Sequence, residues 1–318
     1  MAIDIIKAES RLENIKAVTP VLAALRTISL GSWQMARSRS QHLDKYTDAL
    51  LRLIPYLLPH FPTRRRIIKR RLPIGHGDKT RPHNPTGERS VVAVVIGSER
   101  GLCGQYNHVL IDQLDDYLHR KQKEGIKVSL TAMGSRLIRE LRQRDYEMDA
   151  TQALSVTRLP GYDRVREFVN RWMTDYESYA IDAVDLLYNA RAQAGDYLPR
   201  AVRLVPPSLS AVGSEQEGPS EVEPYLSKAA GIEDVIIETD PVELYARIVR
   251  DWTTTTAYKM MLDAAGTEHA ARYQLMESAT QNAEALIDTL TRNIKSGRRR
   301  QITQEMQELA VAAGLLNE

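Results

Sequence analysis

The sequence predicts an α/β domain inserted between two long terminal helices that pair as an antiparallel coiled coil. Three observations carry this. From Val242 to Glu318 there is no proline, and a 3-4 apolar seam runs through Met276, Ala279, Ala283, Leu286, Leu290 and Ile294. A second seam, Leu12, Ile15, Val18, Leu22, Leu25 and Ile28, repeats at the same spacing near the other end of the chain. Between them, short apolar runs alternate with helical patterns, the grammar of βαβ units and a mostly parallel sheet.

In chain order, the first helix is expected from about Asp4 to Leu53, with Pro20 marking a kink or a later start, because proline removes a helix hydrogen bond. The run LPIGHGDKTRPHNPTGERS, residues 72–90, is rich in Pro, Gly and His and marks a boundary. Strands follow at 91–96, 127–133 and 180–188, with helices at 106–123, 135–144 and 163–177. Residues 198–205 and 234–238 would add edge strands, separated by the polar loop SLSAVGSEQEGPSEVEP. The domain division is therefore a discontinuous shaft, 1–72 with 239–318, around a Rossmann-like domain at 90–238, with flexible loops at 73–89 and 206–224.

Composition narrows the function classes. Lys plus Arg number 43 against 41 Asp plus Glu, a formal charge of +2, so no global charge argues for nucleic acid or an anionic membrane. The basic run RRRIIKRR, 64–71, has no interleaved aromatic residues for base stacking and reads as a solvated segment; in GRRR, 297–300, three consecutive arginines cover most of the way round a helix, so at least one is expected to point away from the seam toward a partner. A single cysteine rules out an internal disulfide and any cysteine-built zinc site, and fits a reducing compartment. The N-terminus has no apolar signal core, and no stretch approaches the ~18 apolar residues of a membrane span.

The segment GSERGLCGQYN, 97–107, lies where a strand turns into a helix. Such a turn can cradle a phosphate, because helix N-terminal N–H groups favour an anion. It lacks both GxxxxGK[ST] and GxGxxG, and it has no lysine. Cys103 would be a nucleophile only with a basic partner such as His108, and no orienting acid or amide is evident. The histidines form no metal motif. The expectation is no catalytic site, no cofactor and no metal, with this turn as a structural joint.

SERGLCGQYN resembles the SDRGLCGG-x-N turn of the gamma subunit of F-type ATP synthases, the central rotor shaft of those complexes. GTEHAARYQLMESATQNAEALIDTL and RRRQITQEMQEL are similar to that family's C-terminal blocks, and RLENIK and AALR to steps of its first helix. The resemblance implies a non-catalytic rotary shaft. Its partners would be the alpha and beta subunits, the epsilon subunit and the ring of c subunits, with membrane contact only through them and no nucleic acid. It would lie at the cytoplasmic face of a bacterial inner membrane, coupling ion flow to ATP synthesis or hydrolysis.

Residue by residue, the resemblance assigns beta-subunit contacts to Leu25, Arg26, Arg272, Arg298, Arg299, Thr303 and Glu305. It assigns Arg100, Gly101, Leu102, Cys103, Gly104 and Asn107 to a turn near the foot, on the epsilon and ring side. Pro20 stands where the family has a basic residue, Arg299 and Arg300 stand for Gln and Ala, and a Met-rich stretch becomes ALRTISLGSWQM with Trp33. These departures keep a second reading open: a divergent coiled-coil scaffold without rotary coupling. A free-standing small-molecule enzyme rests on fold analogy alone.

Overall fold

The computed structural model describes residues 2–57, 89–154, 159–192, 197–207 and 237–312, with side chains from Ile5 onward. The basic run 64–71, the loop 72–88 and residues 208–236 of the polar loop region lie outside the described residues. The elements are α1 (Ala2–Leu57), β1 (Ser90–Ile96), α2 (Tyr106–Lys123), β2 (Lys127–Met133), α3 (Ser135–Gln143), β3 (Ala150–Gln152), α4 (Tyr162–Glu177), β4 (Ala183–Arg191), β5 (Tyr197–Val205) and α5 (Pro241–Ala312). They fall into two compact units, one formed by Met1–Gly31 with Arg272–Glu318 and the other by Ser32–Ala271.

In the second unit the strands run in the order β3-β2-β1-β4-β5, with β1 to β4 parallel and β5 antiparallel to β4. Both faces are covered, which is why β1 reads as a continuous apolar run rather than an alternation. On one face Val94, Ile96, Val184 and Leu186 pack with Val169 and Met173 of α4 and with Met261 and Ala264 of α5. On the other, Ala93, Val95 and Leu187 pack with Leu110, Leu114, Leu137 and Leu141 of α2 and α3. The buried charge of β4, Asp185, accepts a hydrogen bond from the Tyr117 hydroxyl at 2.7 Å and pairs with Arg203. A third cluster joins Leu51, Ile54 and Leu57 of α1 to Ile248, Val249 and Trp252 of α5.

Two strand expectations shift. β4 begins at Ala183 rather than 180, because residues 178–181 finish α4: Tyr179 takes φ 60°, and the N–H groups of Tyr179 and Ala180 bond to the carbonyls of Tyr176 and Asp175. The short, mostly exposed β3 was not foreseen, since three residues with one threonine give no periodicity to read. The expected strand at 234–238 lies mainly outside the described residues, and Ile237 and Glu238 are not in a strand. Pro199 sits in β5, at the edge of the sheet, where a missing N–H is tolerated.

α1 is a single helix that runs through Pro20, so the helix does not start there. Pro20 is exposed, and the side chain of the preceding Thr19 bonds to the Ile15 carbonyl at 2.8 Å. In the first unit, the covered positions of α1 include Ile5, Ala8, Leu12, Ile15, Thr19, Leu22, Arg26 and Ser29, a 3-4 repeat flanked by half-buried Glu9, Ala23, Leu25 and Leu30. Val18 and Ile28, expected on the seam, are instead 52% and 63% exposed. Counting apolar residues alone misplaced them, because polar Thr19 and Ser29 hold the inward positions. On α5, Met276, Leu290 and Ile294 are buried, as the seam requires. A side chain on Gly297 would meet Ile5 at 3.2 Å, Arg26 pairs with Glu277 at 2.8 Å, and Arg298 Nε donates to Glu9 Oε1 at 3.1 Å.

Two glycines give opposite expectations. Gly297→Val should destabilise the chain by about 1–3 kcal/mol through overpacking against Ile5. Gly31→Ala, in an exposed helical position with nothing within 4 Å, should stabilise it by about 0.5–1 kcal/mol. Denaturant midpoints at unchanged m-value check both.

Candidate functional site

The turn after β1 shows where its polar groups go. Gly97 N–H donates to the Met133 carbonyl, and Ser98 N–H to Asn107 Oδ1, both at 2.9 Å. The Glu99 carboxylate accepts from Ser135 N–H at 2.9 Å, Ser135 Oγ at 2.7 Å and Leu154 N–H at 2.8 Å. It therefore caps the N-terminus of α3, the place where a helix dipole would favour a phosphate. The chain supplies its own anion there. Leu102 and Gly104 both take φ 61°, which folds the turn so that Cys103 is buried with Tyr106 and Ala271. The Tyr106 hydroxyl donates to the Ala264 carbonyl of α5 at 2.8 Å, and Asn189 Nδ2 donates to the Tyr106 carbonyl at 2.7 Å.

This places the turn residues. Arg100, Leu102 and Gly104 are exposed, Gly101 is half-buried, and Cys103 and Asn107 are buried. Cys103 Sγ points at the Arg100 carbonyl, 3.7 Å away, while the ring of His108 faces Arg144 at 3.2 Å. The suggested thiol and base are thus directed to different partners. Among the described residues, no group of three His, Cys, Asp or Glu side chains is placed to hold a metal ion. The arrangement is a joint that ties the ends of β1 and β4 to α5.

The other expected site residues lie on the long helices. Leu25 and Arg26 are half-buried, and Arg26 is engaged by Glu277. Arg272 is only 8% exposed. Arg298 is exposed and paired with Glu9, and Arg299 is exposed. Thr303 is exposed with its hydroxyl on the Arg299 carbonyl at 2.9 Å, and the exposed Glu305 accepts from Gln301 at 3.0 Å.

The sequence reading missed an apolar stripe beside these residues. Ile302, Met306 and Leu309 are 56%, 66% and 70% exposed, spaced by 4 and 3 on one face of α5. On α1, Val18, Val21 and Ile28 are exposed and share a 3-4 spacing with Leu25. The spacing was visible, but it reads like any buried seam until the fold shows that it is uncovered. Exposed apolar stripes of this kind, flanked by charges, mark surfaces that meet another protein. Among the described residues, no helix is long and apolar enough to cross a membrane.

The geometry is that of a sheet domain joined to long helices whose faces carry exposed apolar stripes. Comparison with known proteins gives the family. The model of the family described as ATP synthase matches residues 5–315, and the chain belongs to that family. It is 26% identical over 321 residues to the ATP synthase gamma chain of Synechococcus sp. (strain PCC 6716), covering 96% of this chain and 97% of that one. It is 25% identical over 306 residues to the ATP synthase gamma chain of Parabacteroides distasonis, covering 96% of each. Its fold is similar to a chain in a structure of the Euglena gracilis mitochondrial ATP synthase, OSCP/F1/c-ring, with TM-score 0.61 at 13% identity, covering 100% of this chain and 98% of that chain. A chain from the central stalk and c-ring of the Tetrahymena thermophila mitochondrial ATP synthase gives TM-score 0.53 at 15% identity, covering 81% and 99%.

Within the joint, Gly134 takes φ 106°, and a side chain there would stand 2.6 Å from the Gly97 carbonyl oxygen. Gly134→Ala should therefore cost about 3 kcal/mol or more, whereas Gly104→Ala, with open space around it, should cost only about 1–2 kcal/mol of backbone strain. Thermal unfolding of both variants checks the order. Burial pushes Tyr106 well above the usual phenol value, and Tyr188 and Tyr245 up to about 12. Raised phenols keep their full contribution to stability below the unfolded value of about 10 and lose it as pH rises through the folded values. The stability curve should fall above pH ~10, with tyrosinate absorbance appearing together with unfolding.

Proposed function

We propose that this chain is the central rotor stalk of an F-type rotary ATP synthase, coupling ion translocation through a membrane sector to ATP synthesis or hydrolysis at catalytic sites on its partners. The observation that carries this is a family match over residues 5–315, in a chain whose distal helices keep apolar and charged residues uncovered. The outer segments of α1 and α5 form an antiparallel coiled coil. That reading is supported by Arg298 and Gly297 reaching Glu9 and Ile5, while Glu277 reaches Arg26.

The stripe Ile302, Met306 and Leu309, with Arg299, Thr303 and Glu305 around it, serves the alpha and beta ring. As the shaft turns, different faces meet each catalytic subunit and bias its conformation, which is coupling by population shift. Leu25 meets the beta subunit from α1. The turn around Leu102 lies toward the foot, with the epsilon subunit and the c ring as neighbours. The chain itself contributes no catalytic group, and it lies peripherally at the cytoplasmic face of a bacterial inner membrane, reached through those partners.

A second reading, a scaffold that assembles without rotary coupling, is favoured by two arginines occupied inside the chain: buried Arg272, and Arg298 on Glu9. The two readings separate on coexpression with alpha and beta subunits from the same source. The rotor reading expects ATPase activity well above that of the alpha–beta hexamer, lost on truncation after Arg292 and cut several-fold by Met306→Asp. Stable assembly without stimulation selects the scaffold, and failure to assemble contradicts both.

A further inference from the structure

Trp33, the bulky departure in α1, has no role in the proposed rotary contacts. Within the unit formed by Ser32–Ala271 it lines a cleft of about 240 Å³ between α1 and α5, closed at one side by Arg191 at the end of β4. The cleft exists because the facing positions are small. α5 contributes Gly266 and Ala270 and α1 contributes Ala36, and a side chain on Gly266 would stand 3.2 Å from Ala36 and 4.0 Å from Trp33. Leu262 completes an apolar wall.

The polar lining is uneven. Arg37 and Arg191 reach the cleft, and among the described residues neither guanidinium has a hydrogen-bond or ion-pair partner. Asp263 is the one carboxylate in the lining, and it accepts the Arg191 backbone N–H at 3.3 Å. Lys259, one turn away on α5, is paired with Asp44. Two guanidiniums against one carboxylate leave the lining with one positive charge. An exposed arginine is ordinarily just solvated; here Arg37, and Arg191 with only the charge of Asp263 near it, stand over a partly open apolar wall with an indole, the usual mix of a ligand site, a mostly apolar recess with a few placed polar groups. Guanidinium forks match carboxylate and phosphate oxygens.

We infer that this cleft binds a small organic oxyanion, a carboxylate or phosphate carried on a flat apolar body, with Arg37 and Arg191 holding the oxyanion and Trp33 and Leu262 flanking the body. The volume lies below the ~300–1,000 Å³ of drug-sized sites, so the ligand is a compact one. This assignment is independent of the rotary reading.

The test is calorimetric titration of the purified full chain with benzoate and with phenyl phosphate, alongside benzyl alcohol, benzylamine and inorganic phosphate. The expected result is saturable one-to-one binding of at least one aromatic anion. It should weaken about fivefold or more in Arg37→Gln, in Arg191→Gln and in Trp33→Leu, with benzyl alcohol and benzylamine about tenfold weaker still. Which aromatic anion binds more tightly distinguishes a carboxylate ligand from a phosphate. Because Trp33→Leu can loosen the helix pair, each variant is also melted, and Trp33→His replaces it if its unfolding temperature drops. The inference is overturned if neither aromatic anion saturates, if both arginine variants bind as the parent does, if benzylamine binds equally well, or if inorganic phosphate matches phenyl phosphate.

Discussion

α5 must stay one helix from Pro241 to Ala312 while burying two different stripes, one against the sheet unit and one against the outer part of α1. Each stripe holds its part of the helix by packing, which supplies most helical stability in proteins. The composition meets this demand with no proline after its first residue and only two glycines, Gly266 and Gly297, each placed where a neighbouring side chain comes close. The run Thr253–Thr256 is the weak point, since β-branched residues are poor helix formers. There the buried hydroxyls of Thr253, Thr254 and Thr255 bond back to the carbonyls of Val249, Arg250 and Asp251, and the run is packed rather than solvated.

The turn after β1 fixes the sheet to that helix. A buried Tyr106 donates a hydrogen bond from its hydroxyl to the Ala264 carbonyl, and Glu99 serves both α3 and the chain after β3. Leu102 and Gly104 supply the left-handed residues that let the chain fold back so tightly. What looks in sequence like a phosphate loop is, in space, a joint in which the Ser98 N–H is held by Asn107 and the Gly97 N–H by the Met133 carbonyl. A rotor needs such a joint, because torque applied at one end of a helix reaches the attached domain only through contacts that do not yield.

Much of this was legible beforehand. The parallel strands were visible because burial on both faces produces continuous apolar runs, and α2 and α3 because their apolar residues recur at helical spacing. β4 was misplaced by three residues because the cap of α4 uses a tyrosine in a left-handed conformation where glycine is the usual signal. The seam of α1 was shifted because Thr19, Arg26 and Ser29 occupy inward positions, and apolar counting cannot see polar residues that face a partner helix. Site residues were harder. Arg272 and Arg298 look alike in sequence, yet one is buried in the chain and the other is held at the surface by Glu9. The uncovered stripe at Ile302, Met306 and Leu309 required the fold, since only the three-dimensional arrangement shows that nothing in the described chain packs on it.

As a central stalk, this chain turns within a ring of catalytic subunits. The direct measurement fixes that ring, in an assembly with alpha and beta subunits, to a surface, attaches an optical probe to the exposed face of α2, and follows the probe after ATP is added. Continuous rotation in one direction, slowing as ATP is withdrawn, is the expected result. ATP turnover by the assembly while the probe only fluctuates about a fixed angle would contradict the account.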